Sequence, residues 1–463
     1  MTGRTADVVF FVTVVIFLLP PFSVVRVSSK GIRAGLRSIW LSLLIALAVA
    51  TMGGCSNNSH QDSVSRPVRI GAIYPFSGPD AATGEELKAG IELGVEIANN
   101  NHAIQPSPLP AMSRSSEAER PIEVLYCDSK GDSATAAKCV EDLVLRQGAI
   151  ALMGCYRSSA TALASEQAEI LKTPFLNAES TSPLLVQRGL RWFFRSTPDD
   201  EMFSRNFFDF LDAMRERHPG SGEKRIALVY ENGLWGTSVA QAQQKLAWER
   251  GWQIVANVPY DAGAQNFDGE VESVRAAMPA VILQASYDHD ALAIVRGYLS
   301  SGVRPPGIIG MNAGFIGSEF ITSLGTGAEN ILSREVWALD LAARKPAIST
   351  INDLYRARRG RDMSGSSARS FTGIMVLAAA ARSARKAAPE AMRQAIRAID
   401  VDGSNLIMPW DGIRFDPETG QNTLGRGVIV QVQHGKYTTV WPESLADHEA
   451  IWPINIYTEG RPQ

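Results

Sequence analysis

From Val68 onward the chain alternates between short continuous apolar runs and longer stretches with helical periodicity. Apolar strands that alternate with helices are buried on both faces, which points to parallel sheets with helices packed on either side. The first series of strands reads VRIGAIY from Val68, PIEVLYCD (121–128), AIALMG (149–154), TPFLNAES (173–180) and RWFFRSTPDD (191–200). A second series follows with KRIALVY (224–230), WQIVANVPY (252–260), PAVILQAS (279–286) and PPGIIGMN (305–312). Between them, GEELKAGIELGVEIANN (84–100) puts Leu87, Ile91, Gly94 and Ile97 on one helical face. SATAAKCVEDLVLRQG is expected to be a helix with Ser133 as its N-cap.

The rhythm then changes. Residues 368–400 read as almost entirely helical, and GVIVQVQHGKYTTVWP (427–442) reads as a hairpin turning at His434-Gly435. A chain of 463 residues, 45% hydrophobic, can bury two ordinary cores. The expectation is two α/β lobes with a cleft, and a hairpin that can return to either lobe.

The N-terminus has a different character. Residues 30–54 carry a basic head (Lys30, Arg33, Arg37), an apolar run and small residues up to Cys55. That is the layout of a signal peptide. Its end resembles a bacterial lipobox, so Cys55 is expected to be lipidated, with Met52 standing where leucine is commonest. Residues 56–67 are polar and read as a tether. Ahead of the signal, residues 1–29 hold a second apolar run broken by Pro20 and Pro21, short for a membrane span. It reads as a start codon placed too early, with initiation at Val25 or Val27; a first anchor is the alternative.

Removing residues 1–54 takes away five basic residues (Arg4, Arg26, Lys30, Arg33, Arg37) and one acidic (Asp7), so a formal charge of -3 becomes about -7. An anionic exported protein suits neither nucleic acid nor anionic lipid. With Cys55 lipidated, Cys127, Cys139 and Cys155 remain, and in an oxidising compartment two of them can pair; spacing does not choose which. No Cys/His cluster has metal-ligand spacing, and no cofactor motif is complete.

The turns after the strands carry the candidate chemistry, because ligands of open parallel sheets bind beyond the strands' carboxyl ends. They read SGPDAATG, CYRSS and ESTSP in the first lobe, and ENGLWG, SYDHD and NAGF in the second. Ser158 opens a helix whose first N–H groups and dipole favour an anion such as a carboxylate. Ser180 and Thr181 offer the same donors one turn over. An enzyme needs a base beside its nucleophile, and only His289 lies near any of these turns. The G-x-S-x-G elbow is absent, SARK (383–386) lacks partner motifs, GSGEK (220–224) lacks P-loop spacing, and GTGAEN is an incomplete dinucleotide fingerprint. Catalysis is not expected.

At these turns the chain resembles the type I periplasmic binding proteins of ABC importers, in the branched-chain amino acid and amide-binding group. The ordered pieces that carry the resemblance run from VRIGAIYPFSGPDAATG through GCYRSSATAL, NAESTSP, VYENGLWGTS and LQASYDHDALA to MPWDGIRFDPETGQN, covering about residues 67–445. The resemblance implies two Rossmann-like lobes joined by three crossovers, near residues 196, 335 and 425, that close on a ligand. The N-terminal lobe would be 68–196 plus 336–425, and the C-terminal lobe 197–335 plus 426–463. It places a ligand carboxylate at Ser158 and Thr181, beside Glu179 and Ser180, with Tyr287 and Trp235 facing from the second lobe. Thr83 stands where those receptors carry an aromatic, and Asn312 where they carry the acid that pairs with the ligand ammonium. Glu179 or Asp288 is expected to supply that charge instead; otherwise the ligand is an amide or another less cationic solute. The implied protein is a monomeric lipoprotein of the periplasm or cell surface that hands its solute to an ABC permease in the inner membrane. An amino acid or amide sensor of the same fold is the alternative.

Overall fold

The computed structural model describes residues 66–100, 120–220 and 223–454. The segments 1–29 and 30–54, Cys55, all but the end of the tether, and nearly all of the Pro/Ser-rich loop after Asn100 lie outside the described residues.

The first sheet is built from β1 (Val68–Tyr74), β2 (Ile122–Asp128), β3 (Ala151–Gly154), β4 (Phe175–Asn177) and β5 (Phe193–Arg195). Its order is β2-β1-β3-β4-β5, and every pairing is parallel. The second sheet contains β6 (Arg225–Glu231), β7 (Gln253–Tyr260), β8 (Val281–Ala285), β9 (Gly307–Gly310) and β10 (Leu332–Glu335). These five run β7-β6-β8-β9-β10, the same order as the first sheet. Burial explains the apolar runs: all of β8 and all of β1 except Arg69 are shielded from water. A short antiparallel pair, β11 (Asp400–Asp402) and β12 (Gly412–Arg414), stands apart. The hairpin β13 (Val428–Gln433) and β14 (Lys436–Trp441) joins the second sheet antiparallel to β10.

Helices α1 (Ala81–Asn100), α2 (Ser133–Glu141) and α3 (Ser158–Ile170) belong with the first sheet. Five more, α4 (Asp200–Arg217), α5 (Leu234–Glu249), α6 (Asp268–Ala277), α7 (Asp288–Ser301) and α8 (Ser318–Leu324), lie with the second. After β10 the chain turns back through α9 (Pro346–Arg359), α10 (Gly365–Ser383) and α11 (Pro389–Arg397). Every residue of α10 from Gly365 to Ala380 is buried, as befits a helix that packs along α1 and over β3 and β4. The approach to α1 is close enough to need glycine: a Cβ on Gly90 would lie 2.2 Å from the Ser367 carbonyl oxygen, and one on Gly94 2.4 Å from Ile374. Further on, Arg195 N–H donates to Gly420 O at 2.9 Å and Asn422 N–H to Arg195 O at 2.8 Å. The chain thus leaves the first sheet after Arg195, returns after Glu335, and leaves again between Asn422 and Val428.

Four local expectations need correction or completion. The stretch 368–400 is helical as expected, divided into α10 and α11 by a break after Ser383, and Asp400 begins β11. Pro389 is the reason: it forces Ala388 out of the helical region (φ -147, ψ 147) and then serves as the first residue of α11. Asp132, not Ser133, caps α2, because its Oδ1 accepts the Thr135 N–H at 2.7 Å. Cys127 and Cys139 form the disulfide, and Cys155 is a buried free thiol. Finally, β10 was not legible as a strand, since it places Arg334 and Glu335 in a buried position that sequence patterns reserve for apolar residues.

Candidate functional site

In a doubly wound sheet the strand order reverses at one point, and the crevice beyond it receives ligands. Those points lie between β1 and β3 in one sheet and between β6 and β8 in the other. The turns beyond them meet across one small cavity. All seven residues singled out from the sequence line it: Ser158, Glu179, Ser180 and Thr181 on one side, and Trp235, Tyr287 and Asn312 on the other. It leaves about 20 Å³ for the centre of a water molecule, room for on the order of one water.

The first wall starts at Gly154, whose φ of 136° and tight approach to β1 (a Cβ would lie 2.3 Å from Ile73 O) only glycine tolerates. The chain then turns into α3. Arg157 occupies the cap position without a side-chain hydrogen bond to the helix, so the first-turn N–H groups beside Ser158 lack a side-chain partner. Ser180 lines the cavity and also supports this turn: its hydroxyl lies 2.9 Å from Cys155 O, 3.0 Å from Tyr156 O and 2.6 Å from the Thr161 hydroxyl. Burial pushes the neighbouring Cys155 thiol well up, and a thiol held protonated is a poor nucleophile.

Glu179 is the acid of the cavity. Its Oε2 accepts from the Tyr74 hydroxyl at 3.0 Å, while Oε1 has no partner. Burial pushes its carboxyl up to about 7, against the opposing pull of Arg369 and the Tyr74 hydrogen bond. Asp288 is not in the cavity. It lies in a larger hollow of about 560 Å³ at the mouth, with His289, and accepts from the Thr83 hydroxyl at 2.8 Å. The bigger hollow is the weaker candidate, because the buried polar groups with free valences surround the smaller one.

The second wall begins with aromatics. The Trp235 ring lies 4.8 Å from that of Tyr287, whose other neighbours are Tyr156 at 5.7 Å and the Arg157 guanidinium at 4.4 Å. Asp80 fixes Arg157 in place through a two-pronged ion pair. Asn312 adopts φ 60, ψ -141, a strained conformation that non-glycine residues keep only when their surroundings enforce it. Its Nδ2 donates to Glu335 Oε2 at 3.1 Å, and its Oδ1 accepts from Arg369 at 3.3 Å. Asn312 therefore bridges a buried acid and a buried base instead of offering a charge itself.

Sequence reasoning missed Tyr156, Ala313, Arg334 and Arg369, which complete the lining. Arg334 comes from β10 and Arg369 from α10. The one available signal was Arg369, directly ahead of the largely apolar run SFTGIMVLAAA, since a buried charge needs a reason. Burial pulls Arg334 down to about 10, offset mainly by Asp200, so it stays protonated at neutral pH.

A family model described as periplasmic binding protein matches residues 67–436. Leu/Ile/Val-binding protein homolog 7 of Brucella abortus is 25% identical over 417 residues, spanning 89% of this chain and 99% of the relative. Homolog 8 of Brucella suis is 24% identical over 405 residues, 86% of this chain and 96% of the relative. Among solved structures, the branched-chain amino acid binding protein LivJ of Streptococcus pneumoniae, in complex with isoleucine, superposes with a TM-score of 0.66 at 21% identity, covering 81% of this chain and all of that one. The leucine-binding protein LivK of Thermotoga maritima gives 0.66 at 20% identity over 80% of this chain and 97% of its own. At such identities the structures speak for the fold, and the family model, matched over most of the chain, speaks for descent. The chain belongs to the periplasmic binding protein family, as a type I member whose relatives are the Leu/Ile/Val-binding group.

Proposed function

We propose that this chain is the solute-binding component of an ABC importer, working outside the cytoplasmic membrane, tethered through lipidated Cys55, and closing as a monomer on an amino acid or a related amide. The observation that carries the reading is the pairing of opposite poles in one cavity. A buried carboxylate oxygen of Glu179 lacks a partner, and beside it stand the open first turn of α3 and the Ser158 and Thr181 hydroxyls. The first suits an ammonium and the second a carboxylate. Glu179 thus takes the role that Asn312 leaves vacant.

Closure links binding to transport. The Ser238 hydroxyl donates to Ser182 Oγ at 2.9 Å, Thr83 donates to Asp288, and Tyr287 packs on Tyr156, each joining residues of the two lobes. A ligand that touches both walls stabilises that arrangement over the open one, and the closed form is the one a permease would engage. The test is thermal unfolding of the purified protein against amino acids, amides, urea and short organic acids. A ligand at 100 times its dissociation constant adds about 2.7 kcal/mol, which shifts the midpoint by several degrees. A panel in which no amino acid or amide moves the midpoint of well-folded protein would refute the reading.

A further inference from the structure

We propose that the solute is an amino acid whose side chain ends in a carboxylate or carboxamide, and that Arg334 and Arg369 receive that end. This rests on the solute-binding reading and narrows it. The two arginines reach the cavity from different parts of the fold, one from a strand of the second sheet and one from the helix packed on the first. Each is only 2% exposed. Arg334 Nε and Nη1 and Arg369 Nε have no hydrogen-bond partner.

Their counter-charges do not use these donors. Asp200 approaches Arg334 only to 3.7 Å and Glu335 approaches Arg369 only to 3.8 Å, both beyond hydrogen-bonding distance. The hydrogen bonds that the two guanidiniums do make are long ones to neutral groups: Thr181 and Ser366 at 3.3 Å, and Asn312 at 3.3 Å. The Phe203 ring, 3.8 Å below Arg334, holds its plane. Arg334 thus presents two unused donor nitrogens and Arg369 one, with both charges balanced. An aliphatic side chain closed against them would leave those donors dry, at a cost that buried charged donors make severe. A carboxylate or carboxamide oxygen can accept from them. The rest of the lining agrees: the rings of Tyr156, Trp235 and Tyr287 and the methyl of Ala313 are its apolar groups, with no larger aliphatic side chain.

The test is calorimetric titration of the full chain, purified in detergent, with L-glutamine, L-glutamate and L-leucine, repeated on Arg334→Lys and Arg369→Lys. Lysine keeps the charge that faces Asp200 or Glu335 but removes the fork, and ligand-free melting checks that the variants fold. The expected result is glutamine or glutamate at least tenfold tighter than leucine in the unaltered chain. Glutamine first identifies the carboxamide, and glutamate first the carboxylate. The lysine variants are expected to weaken that ligand at least tenfold and leucine less than threefold. Leucine binding tightest would overturn the inference and leave the solute-binding reading standing. So would lysine variants that weaken all three ligands equally, because the arginines would then hold the common α-carboxylate. Binding of none of the three by well-folded protein would overturn this inference, and the wider thermal-unfolding panel would then decide the solute-binding reading separately. If the variants fail to fold, the ranking of the three ligands on the unaltered chain decides alone.

Discussion

The two walls of the cavity are built by different means. One is made of short side chains on turns: Ser158, Glu179, Ser180 and Thr181 follow β3 and β4 directly. The other pole is reached by long side chains that start inside regular elements, Arg334 in β10 and Arg369 in α10. The first wall brings open N–H groups and one acid, whose carboxyl the charge of Arg369 pulls down against its burial. The second imports two cations into a dry interior and needs Asp200 and Glu335 to keep them there. On the proposed reading, the turn wall takes what every amino acid shares, and a long-side-chain wall can be retuned without moving the backbone. That division would let one fold keep its grip on the common part of the ligand while its selectivity drifts.

The largest effect that could break this comparison is at Glu179. Replacing it with glutamine keeps the shape and an acceptor for the Tyr74 hydroxyl, but removes the charge. Losing one partner of a buried charge pair costs about 3 kcal/mol, so amino acid binding is expected to weaken at least a hundredfold by calorimetry. Unchanged affinity would mean that the turn wall is not the ammonium pole.

The difference between the walls also explains what could be read from the sequence. Strand runs were visible because both faces of each are buried, and in such sheets function gathers in the first few residues after each strand. That rule reached Ser158, Glu179, Thr181, Trp235, Tyr287 and Asn312 without a structure. It also reached Ser180, which lines the cavity while its hydroxyl meets the Cys155 and Tyr156 carbonyls. It could not reach Arg334, because β10 has a charged pair where the pattern calls for apolar residues. Nor could it reach Arg369, five residues into a helix whose buried surroundings come from α1 and the first sheet. Tyr74 was seen only as the end of β1; its partnership with Glu179 spans 105 residues, and no local pattern encodes that.

A smaller, directional effect sharpens the comparison through pH. In the unliganded cavity the Glu179 carboxyl is raised to about 7, chiefly by burial. A raised carboxyl stabilises the closed, ligand-free form fully below its ordinary value near 4.5, and that contribution is lost as pH rises through about 7. A bound ammonium reverses the preference, because it needs the carboxylate. Affinity for an amino acid is therefore expected to rise about thirtyfold from pH 5.5 to pH 8, while ligand-free stability relative to Glu179→Gln falls over the same range. The Gln variant should flatten the affinity profile, which separates Glu179 from Asp200, also raised by burial, to about 6. Affinity that falls with pH would place an anion, not an ammonium, against Glu179.

The smallest effect lies outside both walls. Thr83, in the first turn of α1, donates to Asp288 Oδ2 at the mouth. Burial raises the Asp288 carboxyl to about 6, and the Thr83 hydrogen bond offsets part of that rise. This contact touches no part of the cavity, so it acts only on the balance between open and closed forms. Thr83→Val removes the donor with little change in shape, and one part-buried hydrogen bond to a charged group is worth about 1.5 kcal/mol. Affinity measured at pH 8 is then expected to fall about tenfold for every ligand alike, because the closed population shrinks by the same factor whichever solute occupies it. An unequal loss, with glutamine and leucine changing rank, would mean that the mouth takes part in selecting the ligand. The separation between a common wall and a selective wall would then have to include a third region.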